Sequence, residues 1–143
     1  MNVLLSIKPE FAEKILSGEK RYEFRKTRFR DPSSVGKIYL YSSSPIQRIV
    51  GQFTLGSIIE DKPEYLWEKH GTESGIASRE RFMGYFEGRD VGYALEVTNS
   101  SRFPEPIDPW KSVDNFRPPV SFEYLDSIPN FLNSSSRGPA GSD

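Results

Sequence analysis

The chain has 143 residues, with no cysteine, a single histidine, and 19 Lys/Arg against 20 Asp/Glu for a formal net charge of −1. The missing thiols exclude a disulfide framework, thiolate metal sites, iron–sulfur clusters and a cysteine nucleophile, and one His70 argues against a histidine-centred triad. A chain that is 36% apolar and 13% aromatic is globular rather than disordered; its length fits one domain, no apolar run approaches the ~20 residues of a spanning helix, and its start lacks a signal-peptide pattern, so a soluble cytoplasmic protein with no membrane partner is expected.

Residues 2–7 (NVLLSI) read as a buried strand. Pro9 suits a first helical position, Phe11, Ala12, Ile15 and Leu16 make one apolar stripe, and Gly18 ends the helix. Residues 20–26 alternate as a strand, with Tyr22 and Phe24 on one side and Arg21, Glu23 and Arg25 on the other. Asp31-Pro32-Ser33-Ser34 is turn chemistry. Lys37–Ser42 reads as a third strand, closed by the loop Ser42-Ser43-Ser44-Pro45, and Ile49–Glu60 as a long one in which Gly51, Phe53, Leu55 and Ile59 share a face. Gly51 and Gly56 mark bulges or tight bends there. Pro63 starts a helix through Leu66 and Trp67, and Ser78 caps another carrying Phe82 and Phe86. Val91, Tyr93, Leu95 and Val97 alternate as a strand; from Phe103 onward, prolines at 104, 106, 109, 118 and 119 predict extended, loop-rich chain. Residues 121–126 offer a last short strand, and the Gly/Ser-rich tail predicts disorder over 129–143.

Five or six strands, with a helix between the first two and a helical insertion before the fifth, do not fit a regular alternating parallel fold. They predict an α+β chain, a small mixed β-barrel with helices packed at its ends.

The near-neutral total hides a split. Residues 1–50 carry ten Lys/Arg and five Asp/Glu, the remainder nine against fifteen. Most of the basic excess lies in KRYEFRKTRFR, residues 20–30, which suits either a solvated basic face or an anion site. Glu23 and Arg25 are two apart on one strand and project together. Lys20 joins them only if the strand begins after it, on the bend that Gly18 permits. A converging Lys, Glu and Arg would bind an anion or a base edge, with Glu23 as a general base or Lys20 as an electrostatic stabiliser in an enzyme. The same spacing also describes a surface ion-pair strand.

Ser42, Ser43 and Ser44 could offer backbone N–H groups to a phosphate, or simply form a turn. Lys8, just before Pro9, is either another cation of the site or an exposed residue at the helix start. Tyr22, Tyr39, Tyr41 and Tyr93 are divided between base stacking and core packing. His70 reads as a helix C-terminal residue, and Trp67 and Trp110 as packing residues.

The four residues Gly18, Lys20, Glu23 and Arg25 match the pattern G-x-K-x-x-E-x-R. Together with Ser6–Glu10, Ala12–Leu16, Tyr41–Pro45, Val50-Gly51, Tyr85–Gly88, Gly92–Ala94, Glu105–Asp108 and Arg117–Pro119, they make residues 2–126 resemble the ASCH domain of the PUA-like superfamily, in particular the small prokaryotic and archaeal members described as predicted transcriptional regulators. The resemblance implies one domain over 1–128 and a PUA-like barrel. Its cleft, lined by the hallmark residues, is one proposed in the family to bind RNA or nucleotides. Members of the family include binding modules, ribonucleases and a branch that hydrolyses the acetyl group of N4-acetylcytidine. That branch uses a Lys, a Thr and a Glu, and Glu23 occupies the position of its Thr, which weakens the amidohydrolase reading. No helix-turn-helix is visible, so a stand-alone transcription factor is not expected.

The expected ligand is RNA or a nucleotide, with DNA as an alternative, held by Lys8, Lys20, Arg21, Glu23, Arg25, Lys26, Ser42, Ser43 and Ser44, without cofactor or metal. Ribonuclease or modified-nucleoside hydrolase activity through Lys20 and Glu23 is the enzymatic alternative, and docking of an acidic protein on the basic face is the third.

Overall fold

The computed structural model describes residues 1–125; the predicted tail over 129–143 and the end of the predicted last strand at residue 126 lie outside them. The chain forms β1 (Val3–Ile7), α1 (Pro9–Ser17), β2 (Tyr22–Arg25), β3 (Lys37–Ser42), β4 (Arg48–Asp61), α2 (Pro63–His70), α3 (Arg79–Tyr85), β5 (Gly92–Ile107), α4 (Pro109–Ser112) and β6 (Phe122–Tyr124). The strands make one sheet in the order β2-β5-β4-β3-β1-β6. It curls into a half-barrel, as the mixed α+β expectation requires. β1 and β3 run parallel, Val3 opposite Ile38 through Ile7 opposite Ser42, and the other ladders are antiparallel.

Alternation along the strands separates the packing. Val3, Leu5, Ile38, Leu40, Phe53, Leu95 and Val97 meet Ala12 and Ile15 of α1 in the main core. The intervening residues Leu4, Tyr39, Tyr41 and Ile49 pack with Ile107, Val113 and Phe116. A third cluster joins Phe24 and Ala94 to Leu66, Phe82 and Phe86 of the helical segment. Ser78 caps α3 as expected, its side chain accepting from Arg81 N at 3.2 Å.

Both predicted glycine irregularities fall at register shifts of the β4–β5 ladder. At the second, Leu55 pairs with Val97 and Ile58 with Leu95, so β4 spends three residues where β5 spends two. Ser57 N and Oγ both donate to Glu96 Oε1 at 3.0 Å, and a Cβ on Gly56 would stand 2.5 Å from that oxygen, so a larger residue there would push the carboxylate off its bonds to Ser57. The extra residue flips the face. Ile58 joins Leu55 at the main core, whereas Ile59 packs with the third cluster, contrary to the expectation that Ile59 shares the face of Leu55.

A second correction concerns the prolines. β5 continues through Pro104 and Pro106 to Ile107 instead of becoming loop. Its second half pairs only with β4 among the described residues, since β2 stops opposite Tyr93–Glu96. A proline without an N–H is tolerated on such an unpaired edge.

Candidate functional site

The site begins with how α1 ends. Gly18 takes φ 89°, the left-handed conformation open to glycine, and its N–H bonds to Ile15 O. The chain then turns sharply: Lys20 N donates to Lys14 O at 2.9 Å and Arg21 N to Glu73 O at 2.8 Å. Because β2 starts only at Tyr22, Lys20 is freed from strand alternation and swings in beside Glu23. The strand is therefore shorter than the predicted 20–26.

Lys20 is 2% exposed. Its Nζ donates to Ser74 O and lies 3.4 Å from Glu23 Oε1, with the rings of Phe11 and Phe24 at 5.2 and 5.4 Å. The Ser74 carbonyl is fixed by its own segment. Ser74 Oγ donates to Gly71 O at 2.6 Å and accepts from Ile76 N, while Lys14 Nζ holds Gly75 O at 2.8 Å. Burial lowers the Lys20 pKa from its ordinary value, and the Glu23 carboxylate opposes that only in part.

Arg25 completes the chain of charges. Its Nε donates to Glu23 Oε2 at 2.7 Å and its Nη2 sits 2.6 Å from the same oxygen. Nη2 also donates to Ser6 O at 2.9 Å, and Nη1 to Ser121 Oγ at 3.3 Å. Ser6 in turn donates through Oγ to Pro119 O at 2.6 Å and through N to Ser121 O at 2.9 Å. Arg25 thus bridges β2 to β1 and to the segment before β6, across the seam where the half-barrel is open.

These groups line a cleft of about 710 Å³. Ser6, Ile7 and Lys8 contribute from the end of β1, Tyr41, Ser43, Ser44 and Gln47 from the end of β3 and its loop, and Pro118, Pro119 and Val120 from the segment before β6. Phe11, Ile76, Arg81 and Tyr85 close the helical side. Arg81 is held by Glu10 at 2.8 Å and stacks on Phe11 at 4.9 Å. Burial raises the Tyr85 pKa, and Lys26 Nζ lies 4.7 Å from its ring centroid.

Of the residues singled out in the sequence, Lys8, Lys20, Glu23, Arg25, Ser43 and Ser44 line the cleft. Arg21 is exposed outside it, Lys26 reaches it only through Tyr85, and Ser42 is buried behind it. The backbone N–H of Ser43 is engaged with Ile7 O at 2.9 Å, so it has no proton to give a phosphate. Tyr41 is the one tyrosine of the four considered that lines the cleft; Tyr22 instead packs on His70, ring centroids 4.2 Å apart. His70 ends α2 as read, and Trp67 packs on Phe82 at 5.2 Å. Phe11, Arg81 and Tyr85 lay outside the residues singled out. Tyr85 carried a signal in the Tyr85–Gly88 segment of the family resemblance, whereas the Ser74 carbonyl has no side-chain signature at all. Among the described residues there is no group of three or more His, Cys, Asp or Glu placed to hold a metal ion, and no helix is long and apolar enough to cross a membrane.

Comparison with known proteins identifies the family and the fold. A protein of Zymomonas mobilis named "ASCH domain-containing ribonuclease" is 32% identical over 124 residues, covering 85% of this chain and 82% of that protein. The crystal structure of ASCH from Zymomonas mobilis superposes with a TM-score of 0.77 at 29% identity, over 87% of each chain. A mutant of that protein superposes with a TM-score of 0.79 at 25% identity, over 94% of this chain and 93% of the other. The ASCH domain family model matches residues 5–106, a span that runs from the middle of β1 almost to the end of β5 and takes in all of Lys20, Glu23 and Arg25; the chain belongs to the ASCH domain family.

Proposed function

We propose that this chain binds single-stranded RNA in the cleft and cleaves it there. The observation that carries the reading is the buried Lys20–Glu23–Arg25 chain on the wall of an open cleft large enough for a nucleotide unit. The relative named as a ribonuclease supports RNA as the substrate class.

The chemistry follows from the environment of Lys20. In its neutral form, which burial favours, the amine accepts the proton of a ribose 2′-hydroxyl. The 2′-oxygen then bonds to phosphorus as the bond from phosphorus to the 5′-oxygen breaks. A cyclic phosphate remains on one fragment, and the leaving oxygen takes a proton from solvent. The lysine, once protonated, and Lys8 at the mouth stabilise the charge that develops on the phosphoryl oxygens. Glu23 and Arg25 act as positioning residues that hold the amine against Ser74 O and the cleft wall together.

One observation favours a second reading, binding without cleavage: Lys20, Glu23 and Arg25 satisfy one another and the protein backbone, as a purely structural cluster would. A single experiment separates the two. Labelled single-stranded RNA is incubated with wild type and Lys20→Ala, and each sample is run on native and denaturing gels. Shortened RNA with wild type and intact RNA with Lys20→Ala is the expected result. A shifted but intact strand selects the binding module, and RNA neither shifted nor shortened at high protein concentration overturns both.

A further inference from the structure

Trp110 has no part in the cleft chemistry, yet its surroundings are those of a ligand surface. Its side chain is 40% exposed at the surface, unlike Trp67, which packs into the helical cluster. The exposed indole is nevertheless held in place. Phe116 supports it edge-on with ring centroids 5.1 Å apart, and Tyr41, itself 5.9 Å from Phe116, lies 6.1 Å from the indole, so the three rings form one cluster. The backbone beneath is fixed as well: Asp108 Oδ1 accepts from Trp110 N at 3.0 Å, and Asp108 pairs with Arg48 at 3.5 Å.

This surface adjoins the cleft through Tyr41 and through residues next to cleft residues in the chain. Tyr41 lines the cleft, Arg48 follows the cleft residue Gln47, and Arg117 precedes the wall segment Pro118–Val120. Arg117 and Lys111 are exposed and form no ion pair among the described residues. An exposed aromatic face with cations near it in the chain is the combination that binds single-stranded nucleic acids, the bases stacking while the phosphates follow the charge. Nothing in the folding of the domain requires the outer face of the indole to stay bare.

We infer that Trp110 is a stacking platform for a base of the strand outside the cleft, so that the preferred ligand is an oligonucleotide and not a nucleoside or mononucleotide. The inference rests on the RNA reading above. It makes Trp110 a binding residue that leaves the cleft chemistry itself untouched.

The test uses the full chain carrying W67F, in which Trp110 is the single tryptophan. Binding of 2′-O-methyl oligonucleotides of two to eight residues, which resist cleavage, is followed by anisotropy of a label on the oligonucleotide and by Trp110 emission. The expected result is quenching of Trp110 by the oligonucleotides and about tenfold weaker binding by W110A. W110F, which keeps the contact with Phe116 and a flat ring, should stay close to wild type, and a mononucleotide should neither quench Trp110 nor distinguish the variants. Oligonucleotide binding with unchanged Trp110 emission and unchanged affinity in W110A overturns the platform and leaves the RNA reading standing. Absence of any anisotropy change, which does not depend on Trp110, overturns the RNA reading and the platform with it.

Discussion

Glu13 and Glu23 each take an arginine, and the two pairs look alike on a list of distances. Glu13 accepts from both terminal nitrogens of Arg102, at 2.9 and 2.8 Å; Glu23 accepts from Arg25 at 2.7 and 2.6 Å. The side chain of Glu13 is 58% exposed and that of Glu23 only 8%. Water screens the first pair and replaces either partner readily, so it joins α1 to β5 with little energetic weight. The second pair has left water behind and is tied to one further cation, Lys20, to the Ser121 hydroxyl and to the Ser6 carbonyl. Geometry makes an ion pair, but burial decides whether breaking it matters.

Four substitutions press on that difference, from the largest effect to none. Glu23→Ala leaves Lys20 and Arg25 without their shared counter-charge, and urea unfolding should show a loss of about 3–5 kcal/mol. A loss no greater than that of an average surface substitution would mean that water already reaches the cluster. Arg25→Lys keeps the charge but cannot span Glu23, Ser6 and Ser121 together; a loss of about 1–3 kcal/mol is expected, with faster proteolysis of the segment 117–121. Lys20→Met replaces a desolvated cation by an apolar chain of similar length while Glu23 keeps Arg25. Stability should change by no more than about 1 kcal/mol, whereas RNA cleavage should fall by at least about a hundredfold. Glu13→Ala should unfold at the same urea concentration as wild type, and a clear shift would remove the contrast between the two pairs.

The pH dependence of Lys20 sharpens the same contrast. Its native pKa lies below the ordinary 10.5, mainly through burial. Between those two values the unfolded chain holds a proton that the native chain has released, so the lysine contributes a stability that rises with pH across that interval. Wild type should therefore gain stability relative to Lys20→Met as the pH is raised toward 10.5. Parallel unfolding curves at every pH would show that Lys20 keeps its proton in the folded protein.

Local chemistry made much of this legible. Pro9 and Gly18 bracket α1, Ser78 caps α3, and the alternation of Tyr22, Glu23, Phe24 and Arg25 sorts β2 into a core face and a polar face. The hallmark residues pointed to the cleft because three of them are neighbours in sequence and a glycine bend gathers them. Features set by partners far along the chain had no such signal. Ser74 O reaches Lys20 across 54 residues, and Ile59 changes face because β4 bulges against a carboxylate of β5. Pro104 and Pro106 read as breakers since nothing local reveals that, among the described residues, their outer edge has no strand beside it.

The bond from Ser6 Oγ to Pro119 O joins positions 113 residues apart. One wall of the cleft thus belongs to the first element the chain makes, and the facing wall is almost the last of the described residues. During synthesis the growing polypeptide carries Lys20, Glu23 and Arg25 long before it carries Ser121, and until then Arg25 can reach Ser6 on β1 but not the segment before β6. A nascent chain halted before residue 117 holds the whole hallmark and lacks the wall that encloses it. The cleft is therefore completed only when the end of the described chain has folded back onto its beginning.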